Sequence, residues 1–246
     1  ISQQKIQKKA NIDDWFYIPV WQHSMLPIGH NSIASRVWLV FEDGCGLSPQ
    51  LINLLTSAGQ QTTTVQAGIT FEKVNDHHYI LNPQRADDYR RLFMALDAKN
   101  HIPQEIIHLW TVTPEELVAS RLEYLDDYQN TGLYSLLFIA QALGELEITP
   151  HIALTVISNQ LHAITSEECL CPEKATVLGA LKIIPQECPT IKCRHIDIHY
   201  PQDKVDVVGQ LWSELTSDSE ELILAYRGWY RWVPDFKATQ IKDRPE

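Results

Sequence analysis

Short apolar runs alternate along this chain with longer segments in which apolar residues recur every three or four positions. The run from Val37 to Phe41 has no polar residue, which is typical of a strand buried on both faces of a parallel sheet. Leu51, Leu54 and Leu55 then share one face of a helix predicted at 48–57. Because strands and helices keep alternating, we predict one α/β domain with a mostly parallel sheet and helices on both faces.

The same patterns place the remaining elements. The predicted strands cover residues 15–21, 37–41, 62–67, 71–74, 78–81, 106–110, 151–157, 191–199 and 221–226. The predicted helices cover residues 48–57, 86–98, 128–143, 175–184 and 205–215. Residues 1–12 are polar and are predicted to be a linker, so that the domain covers 13–246.

Three features refine this prediction. Pro19 cannot donate to a sheet ladder, so the first strand is expected to lie at an edge or to start a pairing. The helix at 128–143 is apolar nearly all round and is expected to be buried against the strands at 106–110 and 151–157. The helix at 175–184 is predicted to end there, because Pro185 disfavours helix in the residue before it.

Composition excludes several function classes. The chain of 246 residues has a formal net charge of −11, and an acidic surface repels nucleic-acid phosphates. No apolar stretch approaches the ~20 residues that span a bilayer, and no leader is visible. The five cysteines, an odd number, favour a reducing compartment, and Cys169 and Cys171 form only C-x-C. We therefore expect a cytoplasmic protein without a metal site and without nucleic acid or membrane as partner.

In such folds the first strand-to-helix turn is the place for a nucleotide phosphate, with the motif G-x-G-x-x-G. Here Gly44 and Gly46 stand at the first two positions, but Pro49 replaces the third glycine and removes an amide. The next strand, predicted at 62–67, ends at Ala67 and is followed by Gly68, so it lacks the carboxylate that would hold a ribose. The sequence therefore predicts that this chain has no working dinucleotide site.

Other motifs leave one alternative open. Glu42-Asp43-Gly44-Cys45-Gly46 matches the E/D-x-G-C-G loop of class I S-adenosylmethionine methyltransferases, although Ser48 stands where a further glycine is usual. A methyltransferase-like domain is therefore the alternative function. Tyr200 and Lys204 satisfy the Y-x-x-x-K dyad of short-chain dehydrogenases, but Pro201 prevents them from sharing a helix face, so we interpret this match as chance.

Several segments together resemble a known family. They are residues 14–21 (DWFYIPVW), 38–41 (WLVF), 107–110 (IHLW), 132–137 (GLYSLL), 173–179 (EKATVLG), 183–187 (IIPQE) and 225–233 (AYRGWYRWV). In order and spacing they are similar to the structural subdomain of the ketoreductases of modular type I polyketide synthases. The resemblance extends over nearly the whole chain.

This resemblance implies a truncated Rossmann-like fold and a scaffold function. In this family the ketoreductase has two Rossmann-like halves, and the degenerate N-terminal half supports the catalytic half. The catalytic half binds NADPH and reduces a β-ketoacyl group carried by an acyl carrier protein. This chain would be the non-catalytic half, without catalytic residues or a cofactor of its own, and its partners would be the catalytic half and neighbouring synthase domains.

Aromatic residues near the two ends are the candidate interface. The hypothesis is that segments 15–21 and 229–236 lie together and hold the catalytic half, because aromatic residues are enriched at interface anchors. The candidate residues are Trp15, Phe16, Tyr17, Trp21, Trp229, Tyr230, Trp232 and Phe236.

Overall fold

The computed structural model of the protein describes residues 11–26, 34–114, 124–148, 150–166, 168–200, 205–217, 219 and 221–239. Ten strands in these residues form one sheet. They are β1 (Tyr17–Ser24), β2 (Val37–Phe41), β3 (Gln61–Ala67), β4 (Glu72–Lys73), β5 (His78–Leu81), β6 (Glu105–Thr111), β7 (Ile152–Asn159), β8 (Ile191–Ile198), β9 (Ile223–Arg227) and β10 (Tyr230–Ala238).

The sheet is mixed but mostly parallel, as the sequence predicts. Its strand order is β1-β10-β9-β8-β7-β6-β2-β3-β5-β4. From β5 through β2 to β9 all neighbouring strands are parallel, and only β4, β10 and β1 run antiparallel to their neighbours. The order reverses direction at β2, between β3 and β6, which is the arrangement of Rossmann-like folds. The turn after β2 therefore lies where a nucleotide would bind in such a fold.

Helices cover both faces of the sheet. The helices are α1 (Leu47–Ser57), α2 (Ala86–Asp97), α3 (Leu125–Tyr128), α4 (Ser135–Glu145), α5 (Thr176–Glu187) and α6 (Val207–Leu215). Side chains alternate along a strand, so β2 sends Leu39 and Phe41 into a core with α2, α4 and α5. Trp38 and Val40 point into a second core with α1 and α6 on the other face.

The predicted central helix is buried, but it is not one regular helix. A π-helical segment, Gln129–Tyr134, joins α3 to α4. Gly132 lies in this segment, and a Cβ there would stand 3.0 Å from a methyl carbon of Val177, so glycine allows close packing against α5. Leu136 has no exposed surface, and β6 and β7 are adjacent parallel strands beneath the helix. The prediction of a buried helix on these strands is confirmed.

One crossover is truncated. The ten residues between β3 and β5 contain no helix, only the short strand β4, which pairs antiparallel with β5. The strands predicted at 71–74 and 78–81 are therefore present and pair with each other. The connection between two parallel strands normally contains a helix. Because the connection between β3 and β5 has none, this part of the sheet face is left to the other helices on the same side. The fold is a truncated Rossmann-like α/β fold.

The prediction that the fifth helix ends before Pro185 is wrong, because α5 continues to Glu187 with Pro185 inside its last turn. The amide of Cys188 donates to the carbonyl of Ile184 at 2.7 Å, so the helical ladder continues past the proline. Val177, Leu181 and Ile184 are buried on the sheet side of the helix. Burial of this apolar face outweighs the local preference of the residue before proline.

The last strand, β10, was not predicted, and the first strand begins later than expected. β1 starts at Tyr17, because Ile12–Trp15 forms a 3-10 turn before it. β1 lies at the edge of the sheet, so the edge position predicted from Pro19 is confirmed. Residues 1–10 of the predicted linker lie outside the described residues.

Candidate functional site

The turn between β2 and α1, where a phosphate would bind, is closed by the chain itself. The carboxylate of Asp43 accepts hydrogen bonds from the backbone N–H groups of Cys45 at 2.7 Å, Leu47 at 3.1 Å and Ser48 at 2.6 Å. Leu47 and Ser48 are the first two residues of α1, and the third, Pro49, has no N–H. The amides with which a helix N-terminus holds an anion are therefore used internally or absent.

This arrangement opposes an added phosphate in two ways. A phosphate would have to displace the Asp43 carboxylate from its three amides, and before displacement the two negative groups would repel each other. Sequence reasoning identified Pro49 but missed Asp43. The available signal was an acidic residue just before the start of a predicted helix, where carboxylates cap free amides.

The ribose position is also unsuitable. β3 ends at Ala67, and the next residue, Gly68, donates its N–H to the carbonyl of Leu81 at 2.8 Å. A Cβ at Gly68 would stand 2.3 Å from a methyl carbon of Ile80, so this position is tightly packed against β5. It offers neither a carboxylate nor the space for a larger side chain.

A buried lysine occupies the same edge of the sheet, beyond β6 and β7. Lys174 is completely buried, and its Nζ donates to Thr113 Oγ1 at 2.8 Å, Asn159 Oδ1 at 2.7 Å and Asn159 O at 3.2 Å. Burial lowers the pKa of Lys174 to about 8. Three protein acceptors match the three ammonium N–H donors, so none remains for a ligand.

Tyr200, half of the sequence dyad, belongs to this closed edge. Its hydroxyl donates to the carbonyl of Cys45 at 3.2 Å, and its own carbonyl accepts from Asn159 Nδ2 at 3.2 Å. Burial raises the pKa of the Tyr200 phenol. Lys204 lies outside the described residues. Tyr200 therefore connects β8 to the closed turn.

An arginine that lines a cavity of about 290 Å³ also has all its N–H donors bonded within the protein. Arg227 donates from Nε to Glu168 at 3.0 Å, from Nη2 to Asp197 at 2.6 Å and to the carbonyl of His162 at 2.7 Å. Its Nη1 donates to the carbonyls of Tyr226 at 2.9 Å and Asp197 at 3.3 Å. All five guanidinium donors are used, so Arg227 cannot hold an anion in the cavity that it lines.

Glu168 is fixed in its ionised form by the same network. Burial acts to raise its pKa, but hydrogen bonds from nearby backbone N–H groups, with a further one from Arg227, outweigh burial and lower the pKa to about 2. The carboxylate thus serves as the counterion of Arg227. A carboxylate with so low a pKa is a poor proton acceptor, which argues against a role in general base catalysis.

Ser158, His195 and Asp197 are the residue types of a hydrolytic triad, but their geometry is different. The Ser158 hydroxyl lies between the other two, 2.9 Å from His195 Nε2 and 2.8 Å from Asp197 Oδ1. A triad needs the imidazole in the middle, between serine and carboxylate. All three side chains are fully buried, and burial lowers the pKa of His195 to about 4. This group is structural.

Among the residues that the structure describes, no group of three or more His, Cys, Asp or Glu side chains could hold a metal ion. Nor does any helix in these ranges have the length and apolar character needed to cross a membrane.

The structure brings the two predicted interface segments together. β1 and β10 pair antiparallel, with Pro19 opposite Phe236 and Trp21 opposite Pro234. Trp15 lies in the 3-10 turn, Phe16 between that turn and β1, and Trp229 in the turn between β9 and β10.

Some of these aromatic rings already have partners in the chain. Trp21 packs on His162 with the ring centroids 5.0 Å apart. The ring of His23 contacts Trp232 at 3.8 Å and stacks on Tyr230 at 4.8 Å. Tyr230 nevertheless remains 59% exposed, and Phe236 is 68% exposed. The structure thus places the two segments side by side.

The comparisons with known proteins give a family and several solved structures with the same fold. The model of a family described as beta-ketoacyl synthase-like, N-terminal matches residues 37–214. The multidomain structure of the adenylation, ketoreductase and pseudo Asub regions of a keto acid-selecting NRPS module shares 28% sequence identity, with a TM-score of 0.81. That match covers 90% of this chain and 18% of the other. No curated protein matches the chain.

Two solved ketoreductases have the same fold at lower identity. An N-terminal ketoreductase from the macrolactin assembly line is 18% identical with a TM-score of 0.72, covering 92% of this chain and 45% of that one. A-type ketoreductases from a modular polyketide synthase are 16% identical with a TM-score of 0.63, covering 93% and 43%. The chain thus spans less than half the length of each of these structures.

Proposed function

The chain belongs to the beta-ketoacyl synthase-like, N-terminal family, and because solved ketoreductases match 90% or more of its length, we propose that it is the non-catalytic half of a polyketide-synthase ketoreductase. In this proposal it supports a second half, and that second half binds NADPH and reduces the β-ketoacyl group. The chain would work inside a multidomain synthase, with the catalytic half and neighbouring domains as its partners. The partial coverage of the solved ketoreductases is consistent with this division.

The observation that carries the proposal is the closed turn at Asp43. A nucleotide-binding half needs free amides at the start of α1, and here a side chain of the protein occupies them. Lys174 and Arg227 support the same conclusion, because the N–H groups of these two cations at the carboxyl edge donate to acceptors of the protein itself. A chain without a cofactor site contributes to the synthase through its contacts.

No observation favours the methyltransferase alternative. S-adenosylmethionine would need the same turn and a ribose-binding acid after β3, and those positions hold the Asp43 cap and Gly68.

The first prediction is that the isolated chain binds neither NADPH nor S-adenosylmethionine, because the Asp43 carboxylate occupies the amides of Cys45, Leu47 and Ser48 that would hold a phosphate. Isothermal titration calorimetry with each cofactor checks this, and the longer protein that contains both proposed halves serves as the positive control for NADPH. Micromolar binding of NADPH by the isolated chain would refute the scaffold function. Micromolar binding of S-adenosylmethionine alone would favour the methyltransferase.

A further inference from the structure

β1 and β10 form a two-stranded ribbon that continues beyond the rest of the sheet. β9 pairs with β10 only at Tyr230–Trp232, whereas β1 pairs with β10 from Tyr17 to Ser24. From Val233 to Ala238, β10 therefore has β1 as its only sheet neighbour in the described residues. A two-stranded ribbon by itself is only marginally stable in water, so additional packing on its surface would stabilise it.

The two faces of this ribbon differ sharply in chemistry. Residues directly opposite in an antiparallel pair share a face, and faces alternate along each strand. The register therefore puts one set of residues together, which we call the aromatic face: Tyr17, Pro19, Trp21, His23, Tyr230, Trp232, Pro234 and Phe236. This face carries no Asp, Glu, Lys or Arg side chain. The opposite face, which we call the charged face, carries Arg231, Asp235 and Lys237 together with Ile18, Val20, Gln22, Ser24 and Val233.

At the base of the ribbon the charged face is bonded to the domain, and Trp21 of the aromatic face also packs there on His162. Arg231 is buried and donates from Nε to Glu214 of α6, from Nη1 to Ser24 at 2.8 Å and from Nη2 to Ser219 at 2.9 Å. The hydroxyl of Tyr226 donates to the same carboxylate of Glu214 at 3.0 Å. These bonds fix the base of the ribbon by its charged face, so that the aromatic face beyond Trp21 and Trp232 points away from them.

Prolines leave each edge of the ribbon without one of the N–H donors that an added strand would need. The amide of Thr239 donates to the carbonyl of Phe16 at 3.0 Å, so even-numbered residues of β1 and odd-numbered residues of β10 make the ladder bonds. Pro19 therefore lacks its N–H on the outer side of β1. Pro234 lacks its N–H on the side where β9 has already ended. Neither proline costs a β1–β10 bond, but each removes a donor that an incoming strand would need.

We propose that the aromatic face, and not the charged face or either edge, is the surface on which the catalytic half docks. This inference rests on the proposed function. In the described residues β10 is the last strand along the chain, and the proposed catalytic half would follow it in sequence. More than half of each solved ketoreductase lies outside the part matched by this chain. Exposed aromatics without charge are typical of the centre of an interface, and charged residues of its rim.

The test uses the full protein that contains both proposed halves, with a protease site inserted after Glu246. Cutting at this site leaves two polypeptides whose dissociation constant is measured by surface plasmon resonance or sedimentation. The aromatic face is changed by Phe236→Ser and Tyr230→Ser. Asp235→Ser and Lys237→Ser on the same strand are the matched controls for the charged face. Circular dichroism and the melting temperature of each variant report whether its fold is intact.

We expect the aromatic-face variants to weaken association about tenfold or more, and the controls to stay within about threefold of the unchanged protein. Equal effects on both faces, or no effect of Phe236→Ser and Tyr230→Ser, would overturn the assignment of the aromatic face. The same holds if the isolated chain dimerises through this face, because the occupant would then be a second copy. If the unchanged halves separate after the cut, the proposed function itself fails.

If a variant does not fold, amide hydrogen exchange of β10 in the unchanged protein tests the proposal instead. The inference requires slower exchange at Val233–Ala238 before the halves are separated than in the isolated chain. Unchanged exchange there would contradict it.

Discussion

At the residue scale, Asp43 determines what the carboxyl edge of the sheet can do. Its two carboxylate oxygens accept from three amides in a turn that places Gly46 at a φ of 89°, a conformation that favours glycine. A negatively charged side chain of the protein thus occupies amides that a phosphate would use, and the hydrogen bonds of the chain itself hold the turn.

This role of Asp43 predicts a stability effect. Asp43→Ala leaves three amides without their acceptor, so the free energy of unfolding should fall by about 1–3 kcal/mol. Asp43→Asn keeps one acceptor oxygen and should lose less. Glu42→Ala, which removes the neighbouring carboxylate near His78, is the control and should change stability least. Urea unfolding measures all three, and equal losses at Glu42 and Asp43 would disprove the capping role.

Single residues also show which features of the site could be predicted from the sequence alone. Pro49 and Gly68 were visible as departures from a nucleotide motif, because that motif is local in sequence. Apart from the bond of Arg227 to the carbonyl of its neighbour Tyr226, the bonds that saturate Lys174 and Arg227 join residues 15 to 65 positions apart. Such pairs depend on the order of the strands in the sheet, so no local sequence pattern predicts them.

At the element scale, the buried assembly of α4 on β6 and β7 is the centre of the first core. Leu136, Ile139 and Leu143 face the sheet from α4 and are buried with Ile106 and Leu154 beneath them. The π-helical segment before α4 shifts the phase of the helix, and Gly132 lets it approach Val177 closely.

We predict that Leu136→Asp abolishes soluble folding. An unpaired charge at this fully buried position costs several kcal/mol, against a total stability of about 5–15 kcal/mol. Gln141→Asp on the exposed side of α4 is the matched control and should leave the protein soluble. The soluble fraction after expression and the melting temperature are the readouts. A soluble Leu136→Asp variant with an unchanged melting temperature would contradict the packing.

Elements with a strong apolar pattern were predictable, and those shaped by distant contacts were less so. The buried strands β2, β6 and β7 were predicted within about two residues, because continuous apolar runs identify them. Tyr230, Trp232 and Phe236 do alternate with Arg231 and Lys237, a period-two signal that Pro234 obscured. The structure resolves the conflict, since Pro234 faces a side of β10 without a partner strand. The extension of α5 past Pro185 follows from tertiary burial, which the local rule ignores.

At the scale of the whole molecule, neutral buried histidines couple folding to pH. His108 contacts the Ser135 hydroxyl through Nε2 at 2.8 Å, and His195 contacts Ser158. Burial lowers their pKa values to about 3 and about 4 from the ordinary 6.5. The unfolded chain therefore binds protons in this range that the folded protein excludes, so their contribution to stability is complete above pH 6.5 and is lost as the pH falls towards 4.

The expected result is a loss of about 2 kcal/mol in the free energy of unfolding between pH 7.0 and pH 5.5, measured by urea unfolding. His195→Gln, whose amide can still donate to Ser158, should remove roughly half of this loss. His77→Gln changes an exposed histidine and should leave the pH dependence as it is. A loss that is equally steep in His195→Gln would show that other groups cause it.

The pairing of β1 with β10 has a consequence for the order of events during synthesis. The side chains of Gln22 and Asp235 form a hydrogen bond across 213 positions of sequence. On a ribosome that adds about 5–20 residues per second, β1 waits some tens of seconds before β10 emerges. The ribbon therefore closes only after the other described strands of the sheet have been made. If the aromatic face is the docking surface that we propose, a downstream half meets it already assembled with those strands.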